Sequence, residues 1–144
     1  MQAQNYANHR RYVALYHVVL FGIIILTLIG SIVNLNQSLG DHQRLYSASL
    51  IVAIAISLVL LFFFCRVFAL KAQDRAIRSE ENLRHYVLTG KLLDPRLTIG
   101  QIIALRFAPD LEFAALAQRA AAESLSGDSV KKAIKNWRAD MYRV

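Results

Sequence analysis

The residues best suited to chemistry are few and far apart in this chain. Four histidines and a single cysteine, Cys65, are spread over 144 residues. None stands in an H-E-x-x-H or paired C-x-x-C arrangement, which would bring several ligands to one metal ion. Glu81 and His85 are four residues apart and share a helical face, the spacing an acid and a base would need, but a solvated ion pair explains them more simply. His17 stands alone in an apolar run, where a haem bridge would require a second histidine. There is no G-x-x-x-x-G-K-[ST] loop and no G-x-S-x-G elbow, so nucleotide hydrolysis and serine-hydrolase chemistry have no motif. These residues predict no catalytic, cofactor-binding or metal site, no cofactor, and a protein that is not an enzyme.

The elements around them are more informative. With 56% hydrophobic and 19% charged residues, the chain is too apolar for disorder, and its lone cysteine excludes a disulfide scaffold. No Asp, Glu, Lys or Arg lies between Arg11 and Asp41, and none between Tyr46 and Cys65. Each stretch supplies about the 20 apolar residues that a bilayer requires. Residues 13–35 and 46–65 therefore read as transmembrane helices, joined by an extracytoplasmic loop over 36–45 with its turn at Gly40 and Asp41. A cleaved signal peptide after Arg10 and Arg11 is disfavoured, because no small-residue cleavage site follows. The flanks carry Arg10 and Arg11 at one end and Arg66, Lys71, Arg75 and Arg78 at the other, against Arg44 alone in the loop. Both termini are thus expected in the cytoplasm.

In a hairpin of these helices, Gly22, Thr27 and Ser31 come to the depth of Ser57, Ala53 and Ser49. That small-residue stripe is the expected helix-packing surface. Beyond Cys65 the second helix is predicted to continue through 66–89, without Gly or Pro, to a stop at Gly90. Asp74 with Arg78, Glu80 with Arg84, and Glu81 with His85 would pair along it. Ala69, Ala72, Ala76, Ser79, Leu83 and Tyr86 form a narrow seam for a second copy or another helix.

Residues 90–144 read as a small helical domain. Thr98 and Gln101 fit a capping box, Pro109 and Asp110 start a further helix, and Asp128 caps a last one with the stripe Val130, Ile134, Trp137 and Met141. Lys131, Lys132, Lys135 and Arg138 lie beside Trp137, with Arg143 following. Together with Arg66 and Lys71 they are candidate contacts for anionic lipid, with nucleic acid a weaker partner. Fewer than about 80 residues follow the second span, near the lower limit for an independent core, which argues for support from neighbouring chains.

Four blocks of sequence carry a resemblance: 4–9 with 11–17, 73–78 with 80–86, 93–98 with 103–108, and 134–138. Together they resemble an uncharacterised family of small two-span bacterial membrane proteins, a domain of unknown function. The resemblance implies an inner-membrane protein and transfers no activity. The fold class expected is all-α: a two-helix transmembrane hairpin whose second helix extends into a small cytoplasmic helical domain. The function expected is a self-assembling scaffold or an accessory subunit of a larger complex in a bacterial inner membrane. An oligomeric channel lined by Thr27, Ser31, Asn34, Ser49 and Ser57 is the alternative. A lipid-headgroup enzyme comes third, and needs a pair among His85, Glu81, Asp94 and Asp110 to meet.

Overall fold

The computed structural model describes residues 4–141, and every regular element among them is helical. A π-helical turn, Leu15–Leu20, leads directly into α1, Phe21–Gln37. There follow α2 (His42–Thr89), α3 (Ile99–Leu105), α4 (Asp110–Ala122) and α5 (Gly127–Ala133). Two compact units result. One is Tyr12–Ala69, and the other joins Met1–Arg11 to Leu70–Val144. Arg143 lies outside the described residues.

The first, apolar unit contains the two stretches long and apolar enough to cross a membrane, Leu15–Gln37 and the first part of α2. At 1.5 Å per residue the 23 residues of Leu15–Gln37 rise about 35 Å, more than a hydrocarbon core of about 30 Å. The first span begins irregularly rather than as the plain helix expected from residue 13. The imidazole Nδ1 of His17 lies 2.9 Å from the Val13 carbonyl oxygen and 3.3 Å from its amide nitrogen. The ring thus meets backbone groups at the start of the helix. The expected ten-residue loop is shorter, since both helices grow into it and leave only 38–41. There the Asp41 carboxylate accepts from the amides of Gln43 and Arg44 and starts α2.

The covered positions along these helices are also not the stripe of small residues predicted. Ser31 is buried as expected, and Gly22 is half-buried. Thr27, Ser49, Ala53 and Ser57 are exposed. Most covered positions instead follow alternating three- and four-residue steps: Phe21, Ile24, Leu28, Ser31 and Leu35 on α1 with Ser38 just after it, and Leu45, Ala48, Val52, Ala55, Val59 and Phe62 on α2. A strict four-residue stripe drifts around a helix, whereas a 3.5-residue average stays on one seam, and the most deeply buried positions of that seam are the small Ser31, Ser38, Ala48 and Ala55 with Ile24. At one end of the seam the Tyr16 and Phe62 rings stack with centroids 4.4 Å apart. The Tyr16 hydroxyl donates to the Phe62 carbonyl at 2.6 Å. The outward hydroxyls need no partner from another helix. Thr27, Ser49 and Ser57 donate to the carbonyls of Ile23, Tyr46 and Ala53 in their own helices.

The second, terminal unit is a small core laid on the last part of α2. Helix α2 ends where Gly90 takes a left-handed φ of 72° and its amide bonds back to Tyr86. Thr98 and Gln101 form the capping box in both directions. Gln101 also reaches inward, its buried side-chain amide donating to the carbonyls of Ala120 and Leu125. Phe107, Phe113, Leu105 and Val130 are fully buried, each contributing roughly 1.5–3 kcal/mol by leaving water. The seam expected along α2 faces away from this core. Ala72, Ala76, Ser79, Leu83 and Tyr86 are exposed and Ala69 is half-buried, while Ile77 and Glu81 point inward.

The last helix differs most from expectation. Ser126, rather than Asp128, is its cap, accepting from the Ser129 amide, and α5 ends at Ala133. Ile134 is extended, because the backbone amides that would continue the helix are held elsewhere. The Glu112 carboxylate accepts from the amides of Lys135 and Asn136, and the Phe107 carbonyl accepts from Arg138. Val130 and Ile134 still reach the core and Trp137 packs against it, but Met141 is exposed.

The start of α5 lies hard against the first turn of α3. A Cβ added at Gly127 would stand 2.7 Å from the Gly100 carbonyl oxygen, whereas one at Gly100 meets nothing within 4 Å. Gly127→Ala is expected to cost about 1–3 kcal/mol and to lower the thermal midpoint by several degrees. Gly100→Ala should be neutral or stabilise by up to about 1 kcal/mol. Thermal unfolding of the two variants beside the parent protein checks this pair.

Candidate functional site

The chemistry-bearing side chains of the terminal unit gather around three of its arginines. Arg84, on α2, is almost wholly used. Its Nε donates to the Asp110 carboxylate at 2.8 Å, Nη1 to Glu81 at 3.0 Å and Nη2 to the Ala108 carbonyl at 2.7 Å. Its guanidinium lies 4.2 Å above the centre of the Phe113 ring. This planar fork fastens α2 to the start of α4, which is what an arginine does better than a lysine. The pairing expected along α2 is thereby rearranged, with Arg84 on Glu81 rather than Glu80. Glu81 does not meet His85, whose Nδ1 lies 2.7 Å from the Lys91 carbonyl and 3.2 Å from the Thr89 hydroxyl.

Of the four groups considered for headgroup chemistry, Glu81 and Asp110 are thus brought together, but through Arg84. His85 and Asp94 line a separate cleft of about 570 Å³. There Asp94 is occupied by Arg96, whose Nη2 lies 2.7 Å from the carboxylate. Hydrogen bonds from the Arg96 side chain and amide hold the Asp94 carboxyl down at about 2. An acid of that strength is a poor proton donor at neutral pH.

The second arginine, Arg106, follows α3 and is only 9% exposed. Its Nε is 3.2 Å from the Asp140 carboxylate, and its guanidinium lies over the Phe107 ring. Asp140 is itself positioned by Gln4. The Gln4 side chain accepts from the Asp140 amide at 2.8 Å and donates to its carbonyl at 3.4 Å, as a neighbouring strand would. The third arginine, Arg11, donates to the Met141 carbonyl at 3.1 Å. Residues 4–11 therefore run along the tail 137–141 as a strap, and the ring of His9 lies between them and the core. His9 is buried against Tyr6, Phe107 and Trp137, with centroids 5.7–5.8 Å away. Its Nδ1 lies 2.6 Å from the Tyr6 carbonyl and its Nε2 3.1 Å from the Lys131 ammonium. The Tyr6 hydroxyl donates to Asp128 at 2.6 Å.

The chain matches a family model over residues 1–144. It belongs to the family of unknown function DUF6526. No curated protein and no solved structure matches it. In this DUF6526 chain the four sequence blocks singled out above acquire a physical meaning within the terminal unit. The block at 4–9 lies in the strap, that at 134–138 leads into the tail beneath it, 80–86 carries Arg84, and 103–108 carries Arg106 and Phe107.

Beside the strap and the tail is a cleft of about 810 Å³. One wall is α2, with Ala76, Ile77 and Glu80; the other carries Arg11, Arg106 and Arg138. The residues proposed for anionic lipid are not gathered there, apart from Arg138. Lys132 is 2.8 Å from Asp128, and Lys131 is turned to His9. The i,i+4 geometry of α5 and the ring nitrogen beneath it draw these lysines inward or along their own helix. Arg66 belongs to the apolar unit, and Lys71 and Lys135 are exposed. Among the described residues no three His, Cys, Asp or Glu side chains converge as a metal site. The Arg106–Asp140 and Gln4–Asp140 contacts escaped the sequence reading. Short-range spacing gives no sign of them, because the partners are remote, 136 positions apart for Gln4 and Asp140.

Glu112 makes the tail sensitive to acid. Hydrogen bonds from the amide of Lys135, and then from the side chain and amide of Asn136, outweigh its burial and hold its carboxyl below the ordinary value. The unfolded chain therefore takes up this proton more readily than the folded one. The stabilisation is complete above the ordinary carboxyl value and is lost as pH falls through the lowered one. Glu112→Gln should lower the thermal midpoint at pH 7 and flatten its decline below about pH 4.5. Thermal scans of parent and variant from pH 7 to pH 3 check this.

Proposed function

We propose that this DUF6526 chain is a non-enzymatic integral protein of a bacterial inner membrane. Its two apolar helices form a transmembrane hairpin, and its terminal unit is a cytoplasmic platform that serves as a self-assembling scaffold or as an accessory subunit of a larger complex. The observation that carries the reading is the strap. Residues 4–11 precede the apolar unit and residues 70–141 follow it, yet the two form one folded unit. A unit bonded in this way belongs on one side of a bilayer, so the chain between its parts crosses an even number of times. The basic flanks favour the cytoplasm for that side.

The surface of α2 supports an assembly role. Leu83, Tyr86, Val87 and Leu88 are all exposed, Val87 by 74%. Adjacent large apolar side chains on a polar unit are the surface that partner chains cover. The smaller Ala72, Ala76 and Ser79, exposed on the same helix, would let a second helix approach closely.

Topology and assembly are checked separately. With Cys65 replaced by serine, a cysteine at Leu39 should react with an impermeant thiol reagent in intact cells. A cysteine at Thr98 should react only after lysis, and labelling of Thr98 in intact cells would overturn the hairpin. Native mass spectrometry of gently extracted protein should give a homo-oligomer for a scaffold or a stoichiometric foreign chain for an accessory subunit. A lone monomer under those conditions would overturn both.

A further inference from the structure

The cleft between α2 and the tail holds charges of both signs that the protein itself does not join. Among the described residues, no carboxylate lies within ion-pair distance of the guanidinium of Arg11 or Arg138, and no cation within that distance of Glu80. The other charged groups of this region are engaged, Glu81 with Arg84 and Asp140 with Arg106. A ligand complementary to what is left carries an anion for the arginine wall and a cation for the α2 wall. Ala76 and Ile77, beside Glu80 on the α2 wall, are apolar and suit a short hydrocarbon linker.

We propose that this cleft binds a phosphoethanolamine group, with its phosphate on Arg138 and Arg11 and its ammonium on Glu80. Guanidinium is the side chain best matched to a phosphate diester, and an ammonium offers a carboxylate three donors. The proposal rests on the membrane reading for its source. Arg11 directly precedes Tyr12, where the apolar unit begins, and Gln73 on the cleft wall follows Ala69, where that unit ends, by four residues. Phosphatidylethanolamine is the membrane form of this ligand. Phosphatidylglycerol would leave Glu80 facing no cation. Phosphatidylcholine presents a quaternary ammonium with no N–H to donate.

The test is lipid retention by the full-length protein in native mass spectrometry, after exchange into detergent with equal amounts of the three lipids. Phosphatidylethanolamine should be retained about tenfold over either of the others, the scale of one charge-assisted hydrogen bond. Glu80→Gln should erase that preference while leaving some retention of each lipid. Arg138→Gln should lower retention of all three. Arg119→Gln, outside the cleft, should change nothing. Equal retention of the three lipids by the parent protein would overturn the proposal, as would a preference that survives both cleft variants.

A measurement without variants keeps the question open to refutation if Arg138→Gln does not fold. In lipid-free detergent, O-phosphoethanolamine should raise the thermal midpoint more than inorganic phosphate or ethanolamine alone, and equal shifts would overturn the proposal. If the soluble compound at micromolar concentration displaces the retained lipid, the source is a free phosphoamine. If it does not, the source is the bilayer. Failure of these tests in a protein whose Leu39 and Thr98 labelling fits the hairpin sinks the headgroup site and leaves the membrane reading intact.

Discussion

Residues 4–11 and 137–141 are separated by more than 120 positions of sequence and by the whole apolar unit, yet side chains of the first segment are bonded to the backbone of the second. Gln4 reads both backbone groups of Asp140, Arg11 holds the Met141 carbonyl, and His9 fills the space over Trp137 and Phe107. Much of the terminal unit depends on this contact. It covers one side of the Phe107 ring, it orders the Asp140 that Arg106 faces, and it completes a wall of the large cleft. A core of this size has little apolar area to spare, and the buried His9 ring of the strap lies against two of its aromatic rings.

The two units solve the problem of polar groups in opposite ways. In the apolar unit each hydroxyl discussed above turns back onto its own helix or, for Tyr16, onto the Phe62 carbonyl, so surrounding hydrocarbon would meet no unsatisfied donor from them. In the terminal unit the polar groups reach across elements. Gln101 ties α3 to the end of α4, Arg84 ties α2 to its start, and Glu112 ties α4 to the tail. Those crossings do the work that a larger hydrophobic core would otherwise do.

What could be read from the sequence was what short-range chemistry decides. Thr98 and Gln101 are three residues apart and cap the same turn, Pro109 and Asp110 start α4, and Gly90 takes the φ that only glycine adopts at little cost. The two apolar helices follow from composition alone. The readings that differed were those in which a distant residue competes. The stripe from Val130 to Met141 has helical spacing, but Glu112 and the Phe107 carbonyl, on other elements, take the amides a helix would use. Arg84 has Glu80 and Glu81 within one turn, and Asp110, 26 residues away, settles its orientation. Along the apolar helices small residues and a 3.5-residue seam were both present. The small residues that lie on that seam, Ser31, Ala48 and Ala55, are buried beneath half-buried branched and aromatic neighbours, while Ser49, Ala53 and Ser57 lie off it and are exposed.

The strap also sets an order of events. A chain made from its amino end produces residues 4–11 well before the tail that receives them, so the bond from Gln4 to Asp140, 136 positions apart, must wait until everything between them has been made. Under the hairpin reading the intervening apolar helices enter the bilayer before that happens. His9 and Tyr6 would then wait, solvated, until Trp137 emerges. Contacts this remote in sequence close slowly compared with a helix or a turn. Completion of the terminal unit thus reports that both crossings have been made, since a chain with one span left out would strand the strap and the tail in different compartments.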